Sequence, residues 1–372
     1  MQTRIHDLPA ASAGTTRRLR SLHYGRADSG RKAYLQAALH ADEVPPLLVA
    51  QALMERLQAL DAAGSIAGEI VLVPMANPIG LSQDLQGSPL GRFDLGTGVN
   101  FNRQFRHLTP ALAAAIEPRL SADRAANGRL IRAACRELLV AWQPTTETEA
   151  LKHLLQSLAM DADLVLDLHC DNQAVMHLYA GTPQAEAFAP LAGYLGAQAL
   201  LHSAVSGDEP FDESTARVWW ELAAQFGGRF PIDPLGCIAA TVELRGETEV
   251  SHELADHDAD ALIAFLRHSG HIDGTPPPPP APCAATPLEG VEPVTAPTAG
   301  IVVFAKAPGD WVEAGELVAE IIDPLTDART PLNATVSGRC FARSARRYAS
   351  RGMRLAKIAG TKPFRSGKLL SM

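Results

Sequence analysis

Apolar runs and amphipathic stretches alternate along the first 270 or so residues, and that alternation predicts most of the elements. Residues 33–39 read as a buried strand that ends in the polar turn His40-Ala-Asp-Glu43. Val44-Pro-Pro then opens a helix over 45–61, with apolar side chains at Leu47, Ala50, Leu53, Met54, Leu57 and Leu60. Proline suits a helix's first turn, where its missing N–H would be unpaired anyway. An apolar strand follows at 69–75, and an edge strand is expected near 16–24. Strand, helix, strand in this order implies a parallel, right-handed crossover.

After Asn77-Pro78 a polar loop spans 80–107, ending in Val-Asn-Phe-Asn-Arg-Gln-Phe. A loop of that length inside a compact domain is usually functional or disordered, and its Asn, Arg and aromatic content favours function. Helical patterning covers 111–141 and 146–160, then a strand at 163–169. A strand from Met176 to Ala180, helices over 186–199 and 214–227, a buried strand at 236–245 and a helix at 250–268 complete an α/β pattern. Five consecutive prolines at 276–280 make a stiff, extended spacer. Beyond it come short strands separated by turn residues, the pattern of a small all-β domain. The expected organisation is a first domain over 1–272, a linker over 273–290 and the β domain over 291–372.

Composition narrows the function. Of 372 residues, 47% are apolar and 20% charged, with a formal net charge of −8, which argues against nucleic acid as the main partner. Five widely spaced cysteines without a Cys-x-x-Cys imply a reducing compartment and no disulfide framework. The N-terminus shows no hydrophobic signal core, and no uncharged apolar run reaches the roughly 18 residues of a membrane span. A cytoplasmic protein is expected.

The candidate chemistry lies at strand ends. His40 and Glu43 leave the carboxyl end of one strand, and His169 ends Leu-Val-Leu-Asp-Leu-His at 164–169. Open α/β sheets place their sites there. Two imidazoles and a carboxylate meeting at that edge form a facial zinc ligand set with one position open. The same residues also allow a plainer account, in which His40 and Glu43 cap the following helix and His169 is an ordinary hydrogen-bonded histidine. Asp167 alternates to the face of His169 and either orients it or bonds to backbone. Cys170 points to the opposite face and reads as a small buried hydrophobe. Asp208, Glu209 and Asp212 fall in a polar loop at 206–215 that either closes over the site or is a solvated charge run, the second being the expectation.

The order His40-x-x-Glu43, Asn102-Arg103, His169 and Glu243 resembles the succinylglutamate desuccinylase/aspartoacylase family over roughly residues 30–270. That family is a branch of the zinc carboxypeptidase-like hydrolases. The resemblance implies a zinc carboxypeptidase-like mixed sheet flanked by helices. It implies one Zn2+ per chain, held by His40, Glu43 and His169. Glu243, in Ala-Thr-Val-Glu-Leu-Arg-Gly, matches the family's catalytic carboxylate, which takes a proton from the attacking water and returns it to the leaving nitrogen. Asn102 and Arg103 match a pair suited to a substrate carboxylate. Arg92 joins them by proximity only, Arg217 is a weaker candidate, and an anionic acyl group does not follow.

Residues 294–360 resemble a biotinyl/lipoyl-type domain. Lys306 and Lys357 are the only lysines between 300 and 360, and neither stands at the carrier position. No biotin or lipoate is expected, and the domain is assigned to the rim of the site or to assembly. The resulting expectation is a zinc-dependent amidohydrolase acting on a small N-acylated amino acid, with no nucleic-acid or membrane partner and a possible homo-oligomer. A carboxypeptidase acting on peptide C-termini would share the metal site. A non-catalytic binding module would have no reason to keep His40, Glu43, His169 and Glu243 together.

Overall fold

The computed structural model describes residues 1–27 and 29–370. Its largest sheet has nine strands. In chain order they are β1 (Gln2–Asp7), β2 (Arg18–Gly25), β3 (Lys32–Ala37), β4 (Glu69–Val73), β7 (Leu164–Asp171), β9 (His177–Gly181), β10 (Ala199–Ser203), β11 (Ile238–Gly246) and β12 (Ala285–Pro287). They lie in the order β1-β2-β4-β3-β7-β11-β9-β10-β12. Two tiny strands, β5 (Asp84–Leu85) and β6 (Ser88–Pro89), form a hairpin inside the long loop. A further pair of residues, β8 (Gln173–Ala174), pairs outside the sheet.

The central strands β4, β3, β7 and β11 run parallel, while β2 and β9 join antiparallel, so the sheet is mixed. From β3 the chain crosses through α1 (Pro45–Ala62) to β4 on one side, whereas β7 flanks β3 on the other. The strand order therefore reverses at β3, the place where open sheets leave a crevice at the carboxyl ends.

Helices cover both faces because the central strands are apolar on both sides. One face packs against α1, α6 (Ala189–Leu195) and α8 (His252–His268), with Leu35, Leu53, Leu166, Val242 and Phe265 in its core. The other packs against α3 (Thr109–Ile116), α4 (Arg124–Val140), α5 (Glu147–Ala159) and α7 (Phe211–Phe226), around Tyr34, Val165, Phe211 and Trp219. A single turn, α2 (Pro78–Leu81), opens the long loop and is capped by Asn77.

Several elements differ from the sequence expectation. The pattern over 111–141 is two helices, because Glu117-Pro118-Arg119 tightens into a 3-10 turn before Asp123 caps α4. The stretch read as one helix over 186–199 is a 3-10 segment, the short α6 and the start of β10. Gly196, in the left-handed conformation, ends α6. Strand β1, absent from the sequence reading, is an exposed edge strand paired only with β2. Within the proline-rich stretch, Ala285–Pro287 pairs with β10 as the ninth strand.

The C-terminal region folds into two four-stranded sheets. One holds β13 (Val291–Thr295), β20 (Arg354–Gly360), β18 (Gly338–Arg343) and β15 (Trp311–Val312). The other holds β17 (Arg329–Asn333), β16 (Leu317–Ile322), β14 (Gly300–Phe304) and β19 (Tyr348–Ala349). Val302, Val318, Ile321, Cys340 and Ile358 fill the space between them. Strand β18 also pairs with β8, which ties this domain to the chain just past His169.

Candidate active site

At the end of β3 the chain turns sharply through Ala38, which has φ 58°. The following residues close a turn in which the Glu43 N–H donates to the His40 carbonyl at 3.2 Å. That turn brings residues three apart into contact, with His40 Nδ1 2.9 Å from Glu43 Oε1. Strand β7 delivers His169 from the other side, its Nδ1 2.8 Å from Glu43 Oε2. The same oxygen accepts the Cys170 N–H at 3.0 Å. One ligand atom from each of His40, Glu43 and His169 lies within 4.8 Å of the others, and all three side chains are buried.

The outer ring nitrogens also have partners. His40 Nε2 lies 2.9 Å from Asn100 Oδ1, and His169 Nε2 lies 2.9 Å from Asp167 Oδ2. An acceptor at Nε2 keeps the proton there and leaves the Nδ1 lone pair facing inward, as metal-binding imidazoles require. Asp167 is held in turn by Gln36, and Gln36 by the Tyr34 hydroxyl, in a fully buried chain. Of the two readings of Asp167, the structure therefore supports the orienting one.

Charges in this cluster are strongly coupled. Burial would raise the Glu43 carboxyl, but the flanking imidazoles hold it well below the usual range. Burial would equally lower His169, yet Asp167 and Glu43 together raise it well above an ordinary histidine. His40 falls to about 4, through burial and the nearby Arg92. The Glu43 carboxylate is thereby held in its ionised form between the two imidazoles.

Strand β11 pairs with β7 so that Glu243 stands directly beside His169. The chain leaves β11 through Arg245 at φ 63°, whose guanidinium is fixed by Asp258. Glu243 Oε2 is buried without a hydrogen-bond partner among the described residues. Its pKa is raised to about 8, first by burial and then by the Glu43 charge.

The long loop supplies the near wall. Gly91 lies against the His40–Glu43 turn so closely that a Cβ there would come within 2.1 Å of the Asp42 nitrogen, and its carbonyl accepts the Ala41 N–H. This contact lays Arg92 across the donors, its Nη1 3.3 Å from His40 Nδ1 and 3.5 Å from Glu43 Oε1. Asn102 Oδ1 accepts the Phe211 N–H at 2.9 Å, which ties the long loop to the start of α7. Arg103 is buried, lines the cavity and donates to the Asn102 carbonyl at 2.6 Å. Arg217, by contrast, is taken up by Glu209 and Glu221.

These residues line one cavity of about 540 Å³. Its far wall comes from the β domain, including Phe341, Arg343, Arg354 and Lys357. Lys357 crosses to Asp171, two residues past His169, at 2.5 Å. Sequence reasoning missed Lys357, because nothing local marks it. It also missed Asn100, although Asn100 and Asn102 are two apart in an irregular segment and could have been taken as a pair. Asp212 was expected to be solvated; it is buried and lines the cavity, because the helix starts at Phe211 rather than three residues later. Cys170 is buried too, and its thiol is pushed far above the range of a nucleophile by that burial. All five cysteines are unpaired, and no helix among the described residues is long and apolar enough to cross a membrane.

A mixed α/β sheet with a crevice at its switch point and a His-x-x-Glu, His donor group at that crevice defines the zinc carboxypeptidase-like fold. Residues 29–269 match the succinylglutamate desuccinylase/aspartoacylase catalytic domain, and the chain belongs to that family. A protein of the same family from Shewanella amazonensis SB2B is 26% identical, with a TM-score of 0.83 over 96% of this chain and 98% of its own. One from Shewanella frigidimarina NCIMB 400 is 24% identical, with a TM-score of 0.82 over 96% and 97%. A product-bound ectoine utilisation protein from Ruegeria pomeroyi shares the fold at 17% identity, with a TM-score of 0.67 over 96% and 95%. No protein in the curated set matches. Membership supports hydrolysis of an amide bond in an N-acyl amino acid.

Proposed function

We propose that the protein is a zinc-dependent deacylase of small N-acylated amino acids. The observation that carries this is the meeting of His40, Glu43 and His169 beside Glu243 at one sheet edge. The donor set fits zinc: two imidazoles with their outer nitrogens held, and a carboxylate drawn to its ionised form between them. When bound, zinc would acidify a water and polarise the substrate carbonyl.

The chain's own residues supply the rest. Glu243 Oε2, without a protein partner, accepts the proton of the attacking water and hands it to the departing nitrogen. Its burial keeps bulk water from competing for that proton. Asn102 accepts the Phe211 N–H and so fixes the start of α7 against the loop that carries Arg103. Arg103 and Arg92 give the substrate carboxylate a planar, fork-shaped partner. The β domain closes the cavity from the opposite side. The linker over 273–290 holds that domain to the hydrolase, and the protein acts in the cytoplasm.

The test is a screen of N-acyl amino acids with the zinc-loaded chain, alongside metal analysis. Glu243→Gln should retain one zinc per chain and lose about 10²–10⁴ in kcat. Undiminished turnover in that variant rejects the role given to Glu243.

A further inference from the structure

The cavity that holds Arg103 has a further polar lining that the hydrolytic steps leave unused. Ser203, Ser206, Asp212 and Glu213, from the start of α7 and the segment before it, supply it. Asp212, Glu213 and Ser206 are 7%, 6% and 4% exposed. Glu213 Oε1 accepts the Ser206 N–H at 2.7 Å. Its Oε2, Asp212 Oδ1 and the Ser206 hydroxyl all lack a hydrogen-bond partner among the described residues. Acids in a helix's first turn are ordinarily explained by the helix dipole. That account covers solvated carboxylates. It does not cover two adjacent acids more than nine-tenths buried, each with a bare oxygen whose desolvation nothing offsets. Burial raises Asp212 to about 6, and burial with the Asp212 charge raises Glu213 to about 7. A cation beside them would relieve both.

The segment that leads into α7 is hydrogen-bonded to the residues on either side of Arg103. The Phe211 N–H donates to Asn102 Oδ1 at 2.9 Å, the Gln104 N–H to the Asp208 carbonyl at 2.7 Å, and the Phe105 N–H to the Glu209 carbonyl at 3.1 Å. The Asp212 and Glu213 charges both act on the Arg103 guanidinium. A cation next to two acids is the complement of a zwitterion, an ammonium and a carboxylate on a single carbon.

We propose that Asp212, Glu213 and Ser206 bind the free α-ammonium of a substrate whose α-carboxylate goes to Arg103, so that the scissile amide is on a side-chain nitrogen. The substrate class is then an Nω-acyl diamino acid with an unblocked α-amino acid head. The inference rests on the deacylase reading above. It extends that reading by naming which nitrogen is acylated.

The experiment uses the zinc-loaded full chain and three matched sets of acetyl compounds. The first holds the Nω-acetyl derivatives of 2,4-diaminobutyrate, ornithine and lysine, and the second holds their Nα-acetyl isomers. The third holds the acetylated ω-amino acids, which keep carboxylate and amide but lack the α-ammonium. At least one Nω-acetyl compound should exceed both of its counterparts by 10-fold or more in kcat/KM, since a site built for a polar group rejects the analogue lacking it. Asp212→Asn and Glu213→Gln should erase that preference through KM while zinc content and turnover of the acetylated ω-amino acids hold. Free ornithine should likewise bind more tightly than 5-aminopentanoate in calorimetry. Equal rates with and without the α-ammonium, or a preference for the Nα-acetyl isomers, overturn the inference and leave the deacylase reading standing. Absence of turnover across all three sets, together with tighter binding of 5-aminopentanoate than of ornithine or equal binding of the two, overturns the inference, while the wider N-acyl screen decides the deacylase reading. Should either variant fail to fold, the substrate comparison on the unaltered chain decides alone.

Discussion

On the α/β side of the cavity the polar groups come in sets only a few residues apart: His40 with Glu43, Asp167 with His169, Asn100 with Asn102 and Arg103. On the β-domain side they come singly, and each is placed by a partner far away in the chain. Lys357 reaches Asp171 across 186 residues, and Arg343 reaches Gln173 across 170. The first wall is local geometry at strand ends, where a sharp turn or the strand pleat decides which side chains meet. The second wall comes from the docking of the β domain, where β18 pairs with β8 and Lys357 meets Asp171. Chemistry is concentrated on the wall with local order, and enclosure on the wall without it.

The comparison breaks most visibly at the donors. Replacing His169 with Ala should abolish zinc retention, and with it activity, while the fold persists because the β7 backbone pairs on both sides; metal analysis with circular dichroism checks this. Gly91→Ala drives a Cβ into the backbone of Ala41 and Asp42, so the loop carrying Arg92 must lift. The expected result is a kcat/KM drop of about 10²-fold with zinc weakened rather than lost, since small misplacements at a site are costly. Retained activity there would show that the loop does not set the near wall.

On the opposite wall, Lys357→Met removes the partner of Asp171. The side chains are 28% and 20% exposed, so the loss of stability should be about 2 kcal/mol, below that of a fully buried pair. Urea unfolding measures it, and zinc content should not change. If zinc falls too, the two walls are not separable in the way described.

A smaller effect concerns pH. His177 and His271 are kept neutral by burial, with pKa values of about 4 against about 6.5 in an unfolded chain. Between those values the unfolded chain binds more protons, so their contribution is complete above about pH 6.5 and is lost as pH falls toward 4. Each is worth at most about 3 kcal/mol. The raised carboxyls of Asp212 and Glu213 act in the opposite sense over an overlapping range, losing stability as pH rises. The comparison of the unaltered chain with His177→Asn isolates the histidine: the difference in urea midpoint between pH 7 and pH 5 should shrink in the variant. Smallest of all, Glu320→Gln removes an exposed pair with Arg329 and should move stability by less than about 0.5 kcal/mol.

Period and breakers in the sequence were enough to place the central strands and helices along the chain and to set His40, Glu43 and His169 at strand ends, while Glu243 entered only through the family resemblance. The reason is physical: buried parallel strands must be continuously apolar, so a histidine or glutamate at their ends stands out. Boundaries failed where breakers were weak signals, as at Glu117-Pro118 and before Phe211, and the second failure hid the burial of Asp212. What only the tertiary structure decided is which side chains face one another without being near in sequence. The register of β11 on β7 set Glu243 beside His169, the stitching of the long loop to α7 set Arg103 beside Asp212, and the docking of the β domain set Lys357 on Asp171. No periodicity encodes those distances, because each depends on the packing of whole elements rather than on the conformation of any one of them.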